Sequence, residues 1–362
     1  MTVATDTAEY EGWLRGFGPV HDPDLRYKHD RMADPNDPFP FFRGTYYRWA
    51  RVWHATCPDL TAAPRVLAVG DLHVENFGTW RDDDGRLCWG VNDFDEADEL
   101  PYANDLVRLA ASARFARKSG VLGVKFADTC AALLDGYRAS LGAGGRPFVL
   151  EEHHPHLRAV ALAADRDPPQ FWAKLTTLLA DPPADPPPDA RQALLGALPA
   201  EGLSPELRFR PRTGMGSLGK ARYVALVEWR GGWVCREVKA ATPPASAWAA
   251  GAGGAASRAA ELVARAARSP DPFYRPGPGW VVRRLAPRCS RVELGDLAAA
   301  DAGRVLRAMG AEAANVHLGT PGAAAAVLAD LGRRPGGWLE AAGRAMAAAV
   351  EADWHAWRGA GG

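Results

Sequence analysis

GDLHVENFG, residues 70–78, ends the apolar run VLAV and is followed by a second acidic stretch, VNDFDEAD, residues 91–98. VLAVGD (66–71) reads as a short buried strand entering a loop at its glycine. RLCWGVNDFD (86–95) reads as a hairpin partner across the turn DDDG (82–85). Two loops rich in Asp, His and Asn therefore leave neighbouring strands. Asp71 and Asn76 are five positions apart, His73 lies between them, and Asp93 and Asp95 flank a phenylalanine. Deprotonating a hydroxyl calls for a positioned carboxylate. Binding magnesium calls for a few hard oxygen donors, because the ion keeps most of its water. Asp71, Asn76, Asp93 and Asp95 are oxygen donors of these two kinds.

The bulk composition sets the frame. The 362 residues are enough for two lobes with real cores. Forty-three Lys and Arg balance forty-three Asp and Glu, so no basic excess points to nucleic acid. No CxxC pair supports a zinc ribbon, and no apolar run reaches the length of a membrane span. The acidic start MTVATDTAEYEGW does not read as a signal peptide, so the expected compartment is the cytoplasm.

Outward from the acidic loops, residues 1–65 form an aromatic and basic segment expected to pack on a helical lobe. Residues 66–180 carry the loops and then helical periodicity, as in LVRLAASARFARKSG. DPPADPPPDA (181–190) cannot continue a helix, so residues 181–210 read as a linker. Residues 211–290 read as a β-rich lobe, with RYVALVEW and GWVCREVKA as a hairpin around the turn RGG (230–232) and GWVVRRLA as a further strand. Residues 291–362 supply helices that complete the helical lobe.

A second motif opens the β-rich part. TGMGSLG (213–219) contains Gly214, Gly216, Ser217 and Gly219 and leads into a strand rather than a helix. That context suits a glycine-rich loop over phosphates, where a missing Cβ allows close backbone approach, better than a dinucleotide fold. Twenty residues beyond Gly219, Lys239 sits in an apolar strand and needs a partner if buried. The following helix offers Glu261. Cys235, Glu237 and Lys239 alternate onto one strand face.

These motifs resemble those of aminoglycoside-phosphotransferase-like and protein kinases. GDLHVENF and NDFDEAD…NDLVRLA are similar to their catalytic-loop and metal-loop signatures. More narrowly, RMADPNDPFPFFRGT, GDLHVENFG, NDFDEAD, GMGSLGK and REVKAA resemble an uncharacterised bacterial family of kinase-like proteins, over most of residues 26–320. The resemblance implies an α+β, bilobal kinase-like fold. The catalytic loop precedes the glycine loop, so the chain order implies a circular permutation, with AGRVLRAMGAEAANVHLG (302–319) as the helix that would otherwise lead into the catalytic loop. It implies ATP and Mg²⁺ as cofactors and a hydroxyl-bearing acceptor, a small molecule in preference to a protein. In that reading Asp71 is the base, and Asn76, Asp93 and Asp95 are metal ligands. Gly214, Gly216, Ser217 and Gly219 cover the phosphates through backbone N–H groups, and Lys239, held by Glu261, neutralises them. His73, Asp105 and Arg43 give structural support or contact substrate. The three histidines of EEHHPH (151–156) read as a surface loop. Adenylyl transfer, non-catalytic nucleotide binding, and metal-dependent hydrolysis through Asp71, His73, Asp93 and Asp95 are the alternatives.

Overall fold

A computed structural model describes residues 1–118, 123–151, 153–162, 167–178, 185–289, 291 and 299–360. The chain opens with four helices, α1 (Val3–Leu14), α2 (Asp22–Met32), α3 (Phe39–Gly44) and α4 (Tyr46–Thr56). Strand β1 (Arg65–Ala68) leads into the first acidic loop, and β2 (Phe77–Arg81) and β3 (Leu87–Val91) form a hairpin across DDDG. The second acidic loop then runs into β4 (Asp98–Pro101), which pairs antiparallel with β1. Both acidic loops are thus pinned at each end by a strand. Helices α5 (Tyr102–Lys118) and α6 (Phe126–Ala143) follow, then β5 (Phe148–Val149), α7 (Pro155–Ala161) and α8 (Pro168–Leu178).

The stretch read as a linker is more ordered than its prolines suggest. It holds α9 (Pro188–Leu195) and β6 (Glu206–Phe209), and both belong to the β-rich lobe. Pro188 occupies the first helical position, where a missing N–H costs nothing. Strands β7 (Arg222–Trp229) and β8 (Gly232–Ala240) form the expected hairpin, its turn using Arg230 and Gly231 at φ 50° and 80°. Helices α10 (Ala245–Ala249) and α11 (Ala259–Arg265) precede β9 (Arg275–Pro276) and β10 (Trp280–Leu285). The five strands form one antiparallel sheet in the order β6-β7-β8-β10-β9. Helices α12 (Ala299–His317), α13 (Ala323–Arg333) and α14 (Trp338–Gly359) complete the chain. The architecture is α+β.

The sheet register sorts its side chains into two faces. Ala225, Val238, Ala240 and Trp280 pack with Ala190 and Leu194 of α9 into an apolar layer. The opposite face carries Arg222 beside Lys239 and Glu237 beside Arg283, with Val224, Leu226, Cys235 and Leu285 meeting Leu175 of α8. One face is therefore mainly apolar, with Arg236 opposite Arg284 at one end of it, and the other mixes charge with a small apolar patch.

In the helical lobe, α6 and α12 approach most closely at two glycines. A Cβ on Gly136 would overlap the Arg307 carbonyl, and one on Gly310 would overlap the Leu133 carbonyl. Backbone cannot move aside as a flexible side chain can. Gly136→Ala is expected to lower stability by about 3 kcal/mol, the upper part of the range for overpacking, read from the denaturant midpoint.

The N-terminal segment does more than pack on the helical lobe. Val20 forms a β-bridge with Lys220, the His21 N–H donates to the Gly219 carbonyl at 2.9 Å, and the Asp24 carboxylate accepts from the Arg212 N–H at 3.2 Å. It joins the glycine-rich segment to the rest of the molecule. Among the described residues no helix is long and apolar enough to cross a membrane.

Candidate functional site

The two acidic loops and the charged sheet face enclose a cleft of about 650 Å³. Asn76 ties the loops together. Its Nδ2 donates to the carbonyls of Asp71 (3.2 Å) and Asp93 (3.0 Å), which leaves Oδ1 as its uncommitted atom. Behind them, Asp105 is fully buried near the start of α5, where it caps the loop rather than its own helix. Its Oδ2 accepts from the Val69 N–H at 2.7 Å and its Oδ1 from the Gly70 N–H at 2.9 Å. His317, at the end of α12, donates to Asp105 from Nε2 (3.1 Å) and accepts from the Tyr137 hydroxyl at Nδ1 (2.7 Å).

Asp71 is fixed by a residue that sequence reasoning passed over. Arg108, one turn beyond Asp105, is fully buried, and its Nε and Nη2 reach Asp71 Oδ1 at 2.6 and 2.5 Å. Its guanidinium lies over the rings of Phe42, Tyr46 and Trp49, which explains an aromatic cage around a cation. Burial raises the Asp71 carboxyl above its ordinary range in spite of Arg108. Asp71 Oδ2 lies 3.2 Å from where a Cβ of Gly216 would stand, so the glycine-rich segment rests directly on this carboxylate.

Lys239 meets the second loop across 146 residues of sequence. Its Nζ is 3.1 and 3.2 Å from the two Asp93 oxygens and 2.6 Å from Asp95 Oδ2. Asp95 touches the ammonium as an ion pair without hydrogen-bond alignment, so both its oxygens stay unsatisfied by hydrogen bonds. Burial would raise the Asp93 carboxyl, but Lys239, Arg283 and Arg222 outweigh it and hold it far below the usual range. A second buried lysine, Lys220, stands 3.5 Å from Glu96 and 3.7 Å from Asp95. Its position directly after GMGSLG was the available signal.

Glu261 does not reach Lys239. It pairs with Arg258 and Arg265 on its own helix, at 2.6 Å each, as helical spacing favours. The buried glutamate of this sheet is Glu237, two residues before Lys239 on the same strand face. It accepts from Arg210, from Arg222 (3.0 Å) and from Arg283 (2.6 Å). Burial would raise its carboxyl, but the three guanidiniums hold it well below the ordinary range.

The glycine-rich segment also departs from expectation. Met215–Ser217 form a single 3-10 turn, and the Ser217 N–H donates to the Gly214 carbonyl, so it is not offered to the cleft. Gly214 and Gly219 take φ of 74° and 97°, which explains both glycines by backbone conformation. Gly219 faces Leu25 and Val20 of the N-terminal segment and lies off the cleft, whereas Gly214, Gly216 and Ser217 line it.

Arg43 and Arg291 both hold the Glu75 carboxylate at the cleft wall. His73 is buried, and its Nδ1 accepts from the Glu75 N–H at 3.2 Å. Burial, with Arg43, Arg108 and Arg291 nearby, pushes its imidazole well below the usual 6.5. The unfolded chain therefore binds a proton here that the folded chain refuses, and stability falls as pH drops below about 6.5. His73→Gln is expected to flatten this fall by up to about 1.4 kcal/mol per pH unit, read from denaturant midpoints between pH 7 and 5.

Among the described residues no group of three His, Cys, Asp or Glu side chains is placed to hold a metal ion. The set Asp71, His73, Asp93 and Asp95 expected of a hydrolase does not converge. His153, His154 and His156 stand with neighbouring ring centroids 6.2–6.3 Å apart, and Glu152 lies outside the described residues.

No curated protein and no solved structure matches the chain. Residues 22–178, which carry both acidic loops but not the glycine-rich segment or Lys239, match the family model described as an uncharacterized protein conserved in bacteria (DUF2252).

Proposed function

We propose that the chain is an ATP- and Mg²⁺-dependent phosphotransferase that moves the γ-phosphoryl group to the hydroxyl of a small molecule, on a kinase-like fold of circularly permuted chain order. The observation that carries this reading is the contact of Lys239 with Asp93 at 3.1 Å, between two motifs on opposite sides of the molecule's sequence. A buried lysine that bridges the sheet and an acidic loop is the arrangement phosphoryl transfer needs, where positioning and charge compensation supply most of the rate. The end of α12 supports the permuted order: Thr320 Oγ1, just past it, accepts from the Leu67 N–H of β1 at 2.6 Å.

The donor chemistry suits magnesium: Asp93, Asp95 and Asn76 Oδ1 are hard oxygens, and the ion would share the two aspartates with the Lys239 ammonium that touches both. Magnesium there would hold phosphate oxygens and screen their charge. Asp71 would take the acceptor's proton at Oδ2 while the acceptor oxygen bonds the γ-phosphorus, the bond from that phosphorus to the β–γ bridging oxygen breaks, and ADP leaves. Arg108 fixes its orientation through Oδ1, and burial makes it more basic than an exposed aspartate. β10 ends at Leu285, which lines the cleft beside Leu175 and would offer the adenine ring an apolar surface.

The test uses ATP labelled at the α or γ phosphate with a panel of hydroxyl compounds. Magnesium-dependent transfer from the γ position alone is expected, falling about 10²- to 10⁴-fold in Asp71→Asn. Label moving from the α position would replace this reading with adenylyl transfer. Binding without any transfer would make the chain a nucleotide-binding protein.

A further inference from the structure

The three arginines on Glu237 exceed what one carboxylate needs. Glu237 and Arg222 are almost completely buried, and Arg210 and Arg283 have side-chain exposures of only 16% and 21%. Burying several cations around one anion is costly unless another anion completes the set. Asp93 and Asp95 lie close enough to act on Arg222 and Arg283, but Lys239 and Lys220 already compensate them. Five cations thus face four carboxylates when Glu96 is counted with Lys220.

Hydrogen bonding repeats the surplus. The Nε atoms of Arg210 and Arg222 are buried and have no hydrogen-bond partner. All three guanidiniums line the cleft, beneath the glycine-rich segment. Arg222 Nη2 donates to Ser217 Oγ and lies 3.1 Å from where a Cβ of Gly214 would stand, so the segment roofs the cluster.

We propose that Arg210, Arg222 and Arg283, held in place by Glu237, form a binding site for a polyphosphate chain. Guanidinium forks match phosphate oxygens in geometry as well as charge. Glu237 is the positioning residue: it aligns the three forks and keeps them from repelling one another. The inference rests on the nucleotide reading only in taking that chain to be the tail of ATP. Lys239, held by Asp93 and Asp95, is then not the principal phosphate receptor.

The probe is inorganic tripolyphosphate, titrated calorimetrically into the full chain at constant ionic strength, followed by competition with ATP. Saturable binding is expected, weakened at least tenfold in Arg222→Gln and in Arg283→Gln, and unchanged in Arg304→Gln on the exposed face of α12. No binding by the wild type, or equal binding by folded Arg222→Gln and Arg283→Gln, overturns the site. If those variants do not fold, phenylglyoxal labelling of the wild type decides. Protection of Arg210 and Arg283 by tripolyphosphate upholds the site, and unaltered labelling overturns it. ATP binding that ignores the arginine variants leaves the nucleotide reading standing while this site fails. Arginine-dependent tripolyphosphate binding without ATP binding does the reverse.

Discussion

Asp105→Ala is expected to destabilise the protein by about 3–5 kcal/mol, because several buried donors lose their acceptor at about 1–3 kcal/mol each. Three donors lose their acceptor at once: the Val69 and Gly70 N–H groups and His317 Nε2. None can turn to water, since Asp105 and His317 are both fully buried. The damage would not be confined to stability, because Gly70 directly precedes Asp71. Asp105→Asn keeps one oxygen acceptor and should lose less. Denaturant titration of both variants measures the difference, and a loss below about 1 kcal/mol in Asp105→Ala would mean the loop is held by other contacts.

Lys239→Met is expected to cost about 3 kcal/mol and to weaken nucleotide binding at least tenfold by freeing the second acidic loop. The substitution keeps an unbranched side chain only one atom shorter and removes its charge. Asp93 and Asp95 then lose their closest cation and keep only the more distant ones, Lys220 at 3.7 Å from Asp95 and Arg222 and Arg283 on the sheet. The Asp93 side chain is 38% exposed, so solvent screens part of the loss and the expected cost lies at the low end for a broken buried pair. Its carboxyl is depressed in the folded wild type, so its stabilising contribution is present above the unfolded value of 3.8 and is lost as pH falls below it. In Lys239→Met that acid-side loss should shrink, which a pH series of melting temperatures would detect.

Much of this arrangement was legible in the sequence because it depends on short periods. The β7–β8 hairpin followed from two β-branched runs about an RGG turn, and the register places Glu237 and Lys239 on one face as strand alternation requires. The acidic loops were legible as loops, and spacing brought out Asp71, Asn76 and Asp93 together. Glu261 misled because a helix glutamate after a buried lysine is a pattern borrowed from another chain. In this chain two arginines at positions 258 and 265 were near enough to take it. Arg108, Arg210, Arg222 and Arg283 were not legible as site residues. An arginine in a strand or helix shows its purpose only when its partner is known, and Glu237 lies 27 residues from Arg210 and 46 from Arg283. The helix in the proline-rich stretch escaped for a related reason: proline forbids helix interiors but favours their first turn.

Two motifs far apart in sequence, the acidic loops and the Lys239 strand, are expected to form one site for magnesium and nucleotide. Calorimetric titration of ATP, with and without Mg²⁺, into the wild type, Lys239→Met and Asp93→Asn tests it most directly, with circular dichroism to show that each variant is folded. Magnesium-dependent binding by the wild type is expected, weakened at least tenfold in both variants. A wild type that binds no ATP, or binding that both folded variants retain in full, would contradict it.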